Sequence, residues 1–153
     1  MRRPLVAVIP AMVLALGGLL AGCGGDDTSA ADGATTVDVT LQEFAVLPST
    51  TSVAAGSVTF NATNEGPNDQ HEMVVVRTDL DPGSLPTDES GKVDEEGEGI
   101  EAIDEIAEFD VGGTESLTVD LDAGNYVLIC NIYDETEQEA HYQLGMRTAF
   151  TVT

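Results

Sequence analysis

The sequence predicts an all-β domain, an antiparallel sandwich of short strands, and three observations carry that prediction. Apolar and polar residues alternate with period two along much of the chain from Thr36 onward. β-branched residues are enriched in those stretches, and clusters of Gly, Pro, Asn and Asp separate them. At 153 residues the chain has room for about one domain, and with 5% aromatics and no Trp its core must be built mainly from aliphatic side chains.

The elements follow in order. Residues 37–41 place Val37, Val39 and Leu41 on one face of a strand, and residues 58–62 do the same with Val58, Phe60 and Ala62. Further strands are predicted over 72–78, 116–121, 126–130 and 148–153. The turns between them are marked by Ala55-Gly56, Asn64-Glu65-Gly66-Pro67, Gly112-Gly113 and Asp122-Ala123-Gly124-Asn125. Six or more strands of this kind each bury one face by packing as two sheets. Residues 79–110 break the pattern with 13 acids against the single Lys92, together with Pro82 and Pro86. This segment reads as an acidic loop over the surface. Within it Ile100, Ile103, Ile106 and Phe109 recur every three residues, a spacing that predicts a short helix or a helix running into a strand. No stretch matches the alternating oxygen ligands of a calcium-binding EF-hand, so the acids read as a solvated face.

The N-terminus carries a different signal. Met1-Arg2-Arg3 precedes an apolar run over residues 5–20, the layout of an export signal and short for a membrane span. The run ends in Leu20-Ala21-Gly22-Cys23, a lipobox-like sequence that predicts removal of residues 1–22 as a lipoprotein signal peptide and lipidation of Cys23. Residues 23–35 then form the lipidated N-terminus and a small, polar tether, whose coil would span roughly 20 Å. Residues 36–153 form the folded domain. The expected location is extracytoplasmic, anchored to the cell membrane by lipid.

Charge narrows the partners. With 28 acids against 5 Lys and Arg the formal net charge is −23, and losing Arg2 and Arg3 with the signal makes it −25. Such a surface argues against nucleic acid and against lying on anionic lipid, and favours a basic protein face.

Once Cys23 is assigned to lipid, Cys130 is left without a disulfide partner in an oxidising compartment. By itself it reads equally as a small buried hydrophobe at the end of an apolar strand. The chain's two histidines change the balance: His71 opens a predicted strand, and His141 follows Cys130 by 11 residues, with Met146 five further on. Two imidazoles, a thiolate and a thioether suit copper, as a trigonal His₂Cys site with a weak axial Met. Each histidine singly also reads as a surface residue and Met146 as core filler, while Met73 reads as core or as packing behind the ligands. No Gly-x-Ser-x-Gly elbow, phosphate-binding Gly loop or third His for a zinc-water site is present, so an enzyme is not expected.

Three segments, NDQHEMVVV (68–76), DAGNYVLICNI (122–132) and HYQLGMRTAFTV (141–152), resemble the cupredoxins, the blue copper proteins of the plastocyanin and azurin type. The resemblance extends over roughly residues 36–153. It implies a Greek-key β-sandwich, one type 1 copper ion held by His71, Cys130 and His141 with Met146 axial, and one-electron transfer through a partly exposed edge of His141. The chain departs from the family twice. Ten acidic-rich residues separate Cys130 from His141, a closure that adds about 1 kcal/mol or less but bears on site rigidity, copper exposure and partner face. Glu72 stands where a small polar residue commonly ties the two ligand segments together, which argues against an unusually rigid site. The leading function is therefore a monomeric electron carrier that serves a basic-faced membrane oxidase or cytochrome. Copper transfer or storage, and a metal-free interaction module, are the alternatives.

Overall fold

A computed structural model describes residues 33–153. The predicted signal peptide, Cys23 and most of the predicted tether lie outside the described residues. In chain order the strands are β1 (Thr35–Gln42), β2 (Ala45–Pro48), β3 (Ser52–Val53), β4 (Gly56–Gly66), β5 (His71–Arg77), β6 (Glu101–Phe109), β7 (Thr114–Leu121), β8 (Gly124–Ile129), β9 (Tyr133–Asp134) and β10 (Glu139–Ala140). The one-turn helix α1 (His141–Leu144) and strand β11 (Arg147–Val152) complete the chain.

One sheet has the order β2-β1-β4-β7 and the other β3-β11-β8-β5-β6, while β9 and β10 form a separate hairpin. The chain passes between the two sheets repeatedly, as a Greek-key sandwich requires. Most neighbouring pairs are antiparallel, but β1 runs parallel to β4 and β3 parallel to β11, so the sheets are mixed rather than antiparallel throughout. Among the described residues no helix is long and apolar enough to cross a membrane.

The predicted alternation sets the core. Val37, Val39 and Leu41 of β1 and Val58, Phe60 and Ala62 of β4 are all buried, facing a second set from β5, β8 and β11 that includes Met73, Val75, Leu128 and Phe150. The outward positions are polar and pair across strands through their hydroxyls, Thr59 with Thr118 at 2.8 Å and Thr63 with Thr114 at 3.0 Å. Strand β5 does not alternate because both of its faces are covered. Met73 and Val75 point into the sandwich, while Val74 and Val76 join Val127, Ile129, Leu85, Val93 and Tyr142 in a second apolar cluster on the far face.

That second cluster corrects the reading of the acidic segment. Residues 78–100 do form a loop, yet Leu85 and Val93 are buried beneath it, so it covers the outer face of the sheet while its acids stay in water. The expected helix is absent, and residues 101–109 are the edge strand β6. The period of three comes from two β-bulges. His71 pairs with Phe109 and Met73 with Ile106, so two steps along β5 match three along β6. Between Val75 and Val76 one step again matches two. The extra residues return Ile106 and then Ile103 to the core face, which makes a strand imitate helical spacing, while Ile100 precedes β6 and packs on the outer cluster.

Candidate metal centre

Strand β5 starts, β8 ends and β11 starts at one pole of the sandwich, and the sequence-predicted ligands lie there. His71 is the first residue of β5. The loop leading to it is held by Asn64, whose side-chain amide donates to the carbonyls of Asp69 (2.9 Å) and Phe109 (3.1 Å). The Glu43 carboxylate accepts the N–H groups of Asn68 and Asp69 at 2.7 and 2.5 Å. Cys130 follows β8, and its N–H donates to the Met146 carbonyl at 3.1 Å. His141 opens α1, with its N–H on the Ile132 carbonyl (2.9 Å) and its own carbonyl accepting from Met146 N–H (3.0 Å). The turn from α1 into β11 passes through Gly145 at φ +128°, where a Cβ would also press on the Phe44 carbonyl at 3.1 Å. Glycine is needed there on both counts.

These constraints bring three donor atoms together. His71 Nδ1 and His141 Nδ1 are 3.3 Å apart, Cys130 Sγ is 3.5 Å from His141 Nδ1, and it is 3.9 Å from His71 Nδ1. A triangle with those sides has its centre about 2.1 Å from each corner, close to the usual metal–imidazole distance and slightly short of metal–thiolate. His71 and Cys130 are fully buried and His141 is 2% exposed. Met146 is buried in the same core cluster as Cys130 and bound through its backbone to both Cys130 and His141.

The electrostatics suit a cation. Burial lowers the His71 pKa to about 4, reinforced by His141 and opposed by Glu43. Burial also lowers His141, against the pull of Asp69, Asp134, Glu43 and Glu139. Both rings are thus neutral at neutral pH and offer lone pairs. Burial pushes the Cys130 thiol up to about 12, although backbone N–H groups of Glu72 and Ile132 pull it down. Without a cation that thiol keeps its proton, and with one the proton is displaced. Three buried donor atoms within 4.8 Å of one another form a ready cradle for a cation. Moreover, His71 Nε2, the atom turned away from the cluster, is buried with no hydrogen-bond partner, which leaves Nδ1 as the working end of the ring. The donor set and its spacing fit a type 1 copper site.

Two expectations about the site need correction. The Glu72 carboxylate accepts the N–H of Asn131, next to Cys130, at 2.9 Å, so it ties the two ligand segments together and the site is not loosened at this point. A longer side chain makes the link expected of a small polar one. The long Cys130–His141 connection is likewise ordered as the β9–β10 hairpin and closed by the bond from His141 to Ile132. Second, the His141 ring is only 2% exposed, less than the partly exposed edge expected of it. Phe44 packs edge-on against it with ring centroids 5.3 Å apart, and solvent reaches this side through a depression of about 330 Å³. Asn68, Asp69, Glu108, Asp134, Glu135 and His141 are among the residues lining it. Nothing in the sequence near His141 signalled Phe44, which is 97 residues away.

No protein-family model matches the chain, and no curated protein matches it by sequence. Solved structures do. The reduced auracyanin of the photosynthetic bacterium Roseiflexus castenholzii superposes with a TM-score of 0.54 at 24% identity, covering 79% of this chain and 99% of its own. Auracyanin A, a "blue" copper protein of the green thermophilic photosynthetic bacterium Chloroflexus aurantiacus, gives 0.52 at 22% identity, covering 79% and 100%. An azurin of the obligate methylotroph Methylomonas sp. strain J gives 0.51 at 16%, covering 79% and 99%. The chain therefore has the β-sandwich fold of the auracyanins and azurin, the fold that its sequence resemblance implied.

Proposed function

We propose that this chain is a lipid-anchored type 1 copper protein that carries single electrons outside the cytoplasmic membrane. The observation that carries the reading is the convergence of His71 Nδ1, Cys130 Sγ and His141 Nδ1, all buried, at one pole of a sandwich shared with a blue copper protein. Copper held there would supply a one-electron couple. His71, Cys130 and His141 would hold the ion through their two imidazole nitrogens and thiolate, and the Met146 thioether would be the further, weaker donor. Because the backbone bonds among Cys130, His141 and Met146 link the ligand segments directly, the donors keep their places as the charge at the centre changes. Near-complete burial of the donors favours a resident ion over copper transfer or storage, which is better served by an accessible donor.

Electrons enter and leave on the His141 side, where the ring lines the acidic depression. Asp69, Glu108, Asp134 and Glu135 surround that opening and favour a partner with a basic face, such as a membrane oxidase or cytochrome. The lipobox-like sequence ending in Cys23 and the tether after it support an anchor that would keep the domain, expected to be monomeric, within reach of the membrane. Adding Cu(II) to the purified protein tests the centre: an intense thiolate-to-copper band in the visible supports it, and its absence refutes it. Reversible voltammetry then separates an electron carrier from a copper store. Recovery of the Cys23→Ser variant in the soluble rather than the membrane fraction tests the anchor.

A further inference from the structure

The acidic segment 79–99 carries more than cover for the sheet. The residues after the four donors are Glu72, Asn131, Tyr142 and Arg147, and they meet the segment or one another on its side of the sheet. The Tyr142 hydroxyl donates to the Pro82 carbonyl at 2.8 Å and accepts the Leu85 N–H at 3.0 Å. The Asn131 side chain accepts the Val93 N–H at 2.6 Å and donates to the Val93 carbonyl at 3.0 Å and the Glu95 carboxylate at 2.9 Å. Arg147 stacks on the Tyr142 ring at 5.0 Å, and Glu72 holds the Asn131 N–H. Asn131 and Tyr142 are each only 2% exposed.

The segment is itself well held. Leu85 and Val93 sit in the outer apolar cluster, Thr87 bridges Val93, and Asp94 N–H donates to the Pro86 carbonyl at 2.9 Å. We propose that residues 79–99 brace the metal ligands from outside, with Asn131 and Tyr142 as positioning residues that pass the constraint across one peptide link to Cys130 and His141. The proposal rests on the copper reading for its spectroscopic consequence. It also makes a claim about the metal-free protein, where a ligand set preorganised by the brace needs no ion to hold it.

The test compares full-length protein in detergent with Tyr142→Phe, Asn131→Ala and Val76→Ala. The last variant opens the same outer cluster at the end of β5 remote from His71 and serves as the stability control. In metal-free protein, hydrogen exchange at the His141 and Met146 amides, measured relative to those of β4, is expected to rise about tenfold in Tyr142→Phe, the effect of losing one buried hydrogen-bonding group, and not in Val76→Ala. In copper-loaded protein, the Cu(II) hyperfine splitting and the ratio of the thiolate bands should shift in Tyr142→Phe and Asn131→Ala but not in Val76→Ala. If both readouts stay at wild-type values in the two positioning variants, or move equally in Val76→Ala, the segment is cover only and the proposal fails. If the wild type gives no thiolate band, the copper reading falls, and the exchange measurement alone decides the brace.

Discussion

Replacing Glu72 by Gln should stabilise the metal-free protein at high pH and leave it nearly unchanged at low pH. Burial raises the Glu72 pKa from 4.5 to about 7, Glu105 and Glu108 adding to the rise while the Asn131 N–H and Lys92 oppose it. The folded chain therefore holds this proton more tightly than the unfolded chain. The stability contributed by the group is fully present below about pH 4.5 and is lost as the pH rises through about 7. At about 1.4 kcal/mol for each tenfold in proton affinity, the rise amounts to about 3 kcal/mol between the two limits. Gln cannot ionise, and its carbonyl can still accept the Asn131 N–H, so the variant keeps the tie to Cys130 without burying a charge. Urea unfolding of wild type and Glu72→Gln at about pH 5 and about pH 8 measures the effect, since contributions from His71, His141 and Cys130 cancel in the difference. We expect a gain of about 2–3 kcal/mol at the higher pH and little at the lower. Equal differences at the two pH values, or a loss at both, would refute the reasoning and show that the carboxylate is solvated or that its negative charge is needed to hold Asn131.

Cys130→Ser should abolish the visible band and weaken copper binding while circular dichroism still reports a folded sandwich, because a hydroxyl supplies no soft anionic donor; a retained band would exclude Cys130 as a ligand. Met146→Leu should keep copper and raise the reduction potential, since losing the thioether disfavours Cu(II) more than Cu(I), and an unchanged voltammogram would make Met146 a packing residue. Neutralising Glu108 and Glu135 as Gln should slow second-order electron transfer with a basic redox protein several-fold at low salt and flatten its salt dependence, as the Debye length falls from about 10 Å at 0.1 M to about 3 Å at 1 M. Stopped-flow rates that match wild type across that range would show that the depression beside His141 does not guide docking.

What the sequence disclosed and what it withheld divide along one physical line. Donor chemistry is local: an imidazole, a thiol and a thioether declare their preferences wherever they stand. Alternation likewise declares a buried face, which is why the convergence of His71, Cys130 and His141, and the strands around Val37, Val58 and Tyr126, were legible. The rest depends on register between distant segments. The bulges of β6 are legible only once it is known that Ile106 faces Met73, and without that pairing the same isoleucines fit a helix. Glu72 looks in sequence like a departure from the family's tie because its partner, Asn131, lies 59 residues away and only the β5–β8 pairing brings them together. The acids of residues 79–99 dominated the reading of that segment, yet a few buried apolar side chains fix it on the sheet.

The same line explains why two departures from a family pattern need not weaken a metal site. A loop closure costs entropy that grows only slowly with length, so the ten residues between Cys130 and His141 are tolerable if their ends are held. The ends are held: Cys130 N–H binds the Met146 carbonyl, His141 N–H binds the Ile132 carbonyl, and the residues between pair as β9 and β10. Site rigidity here is a property of those closing bonds rather than of loop length. The connection therefore leaves the three donor atoms within 4.8 Å of one another and sets Asp134 and Glu135 on the rim of the depression beside His141.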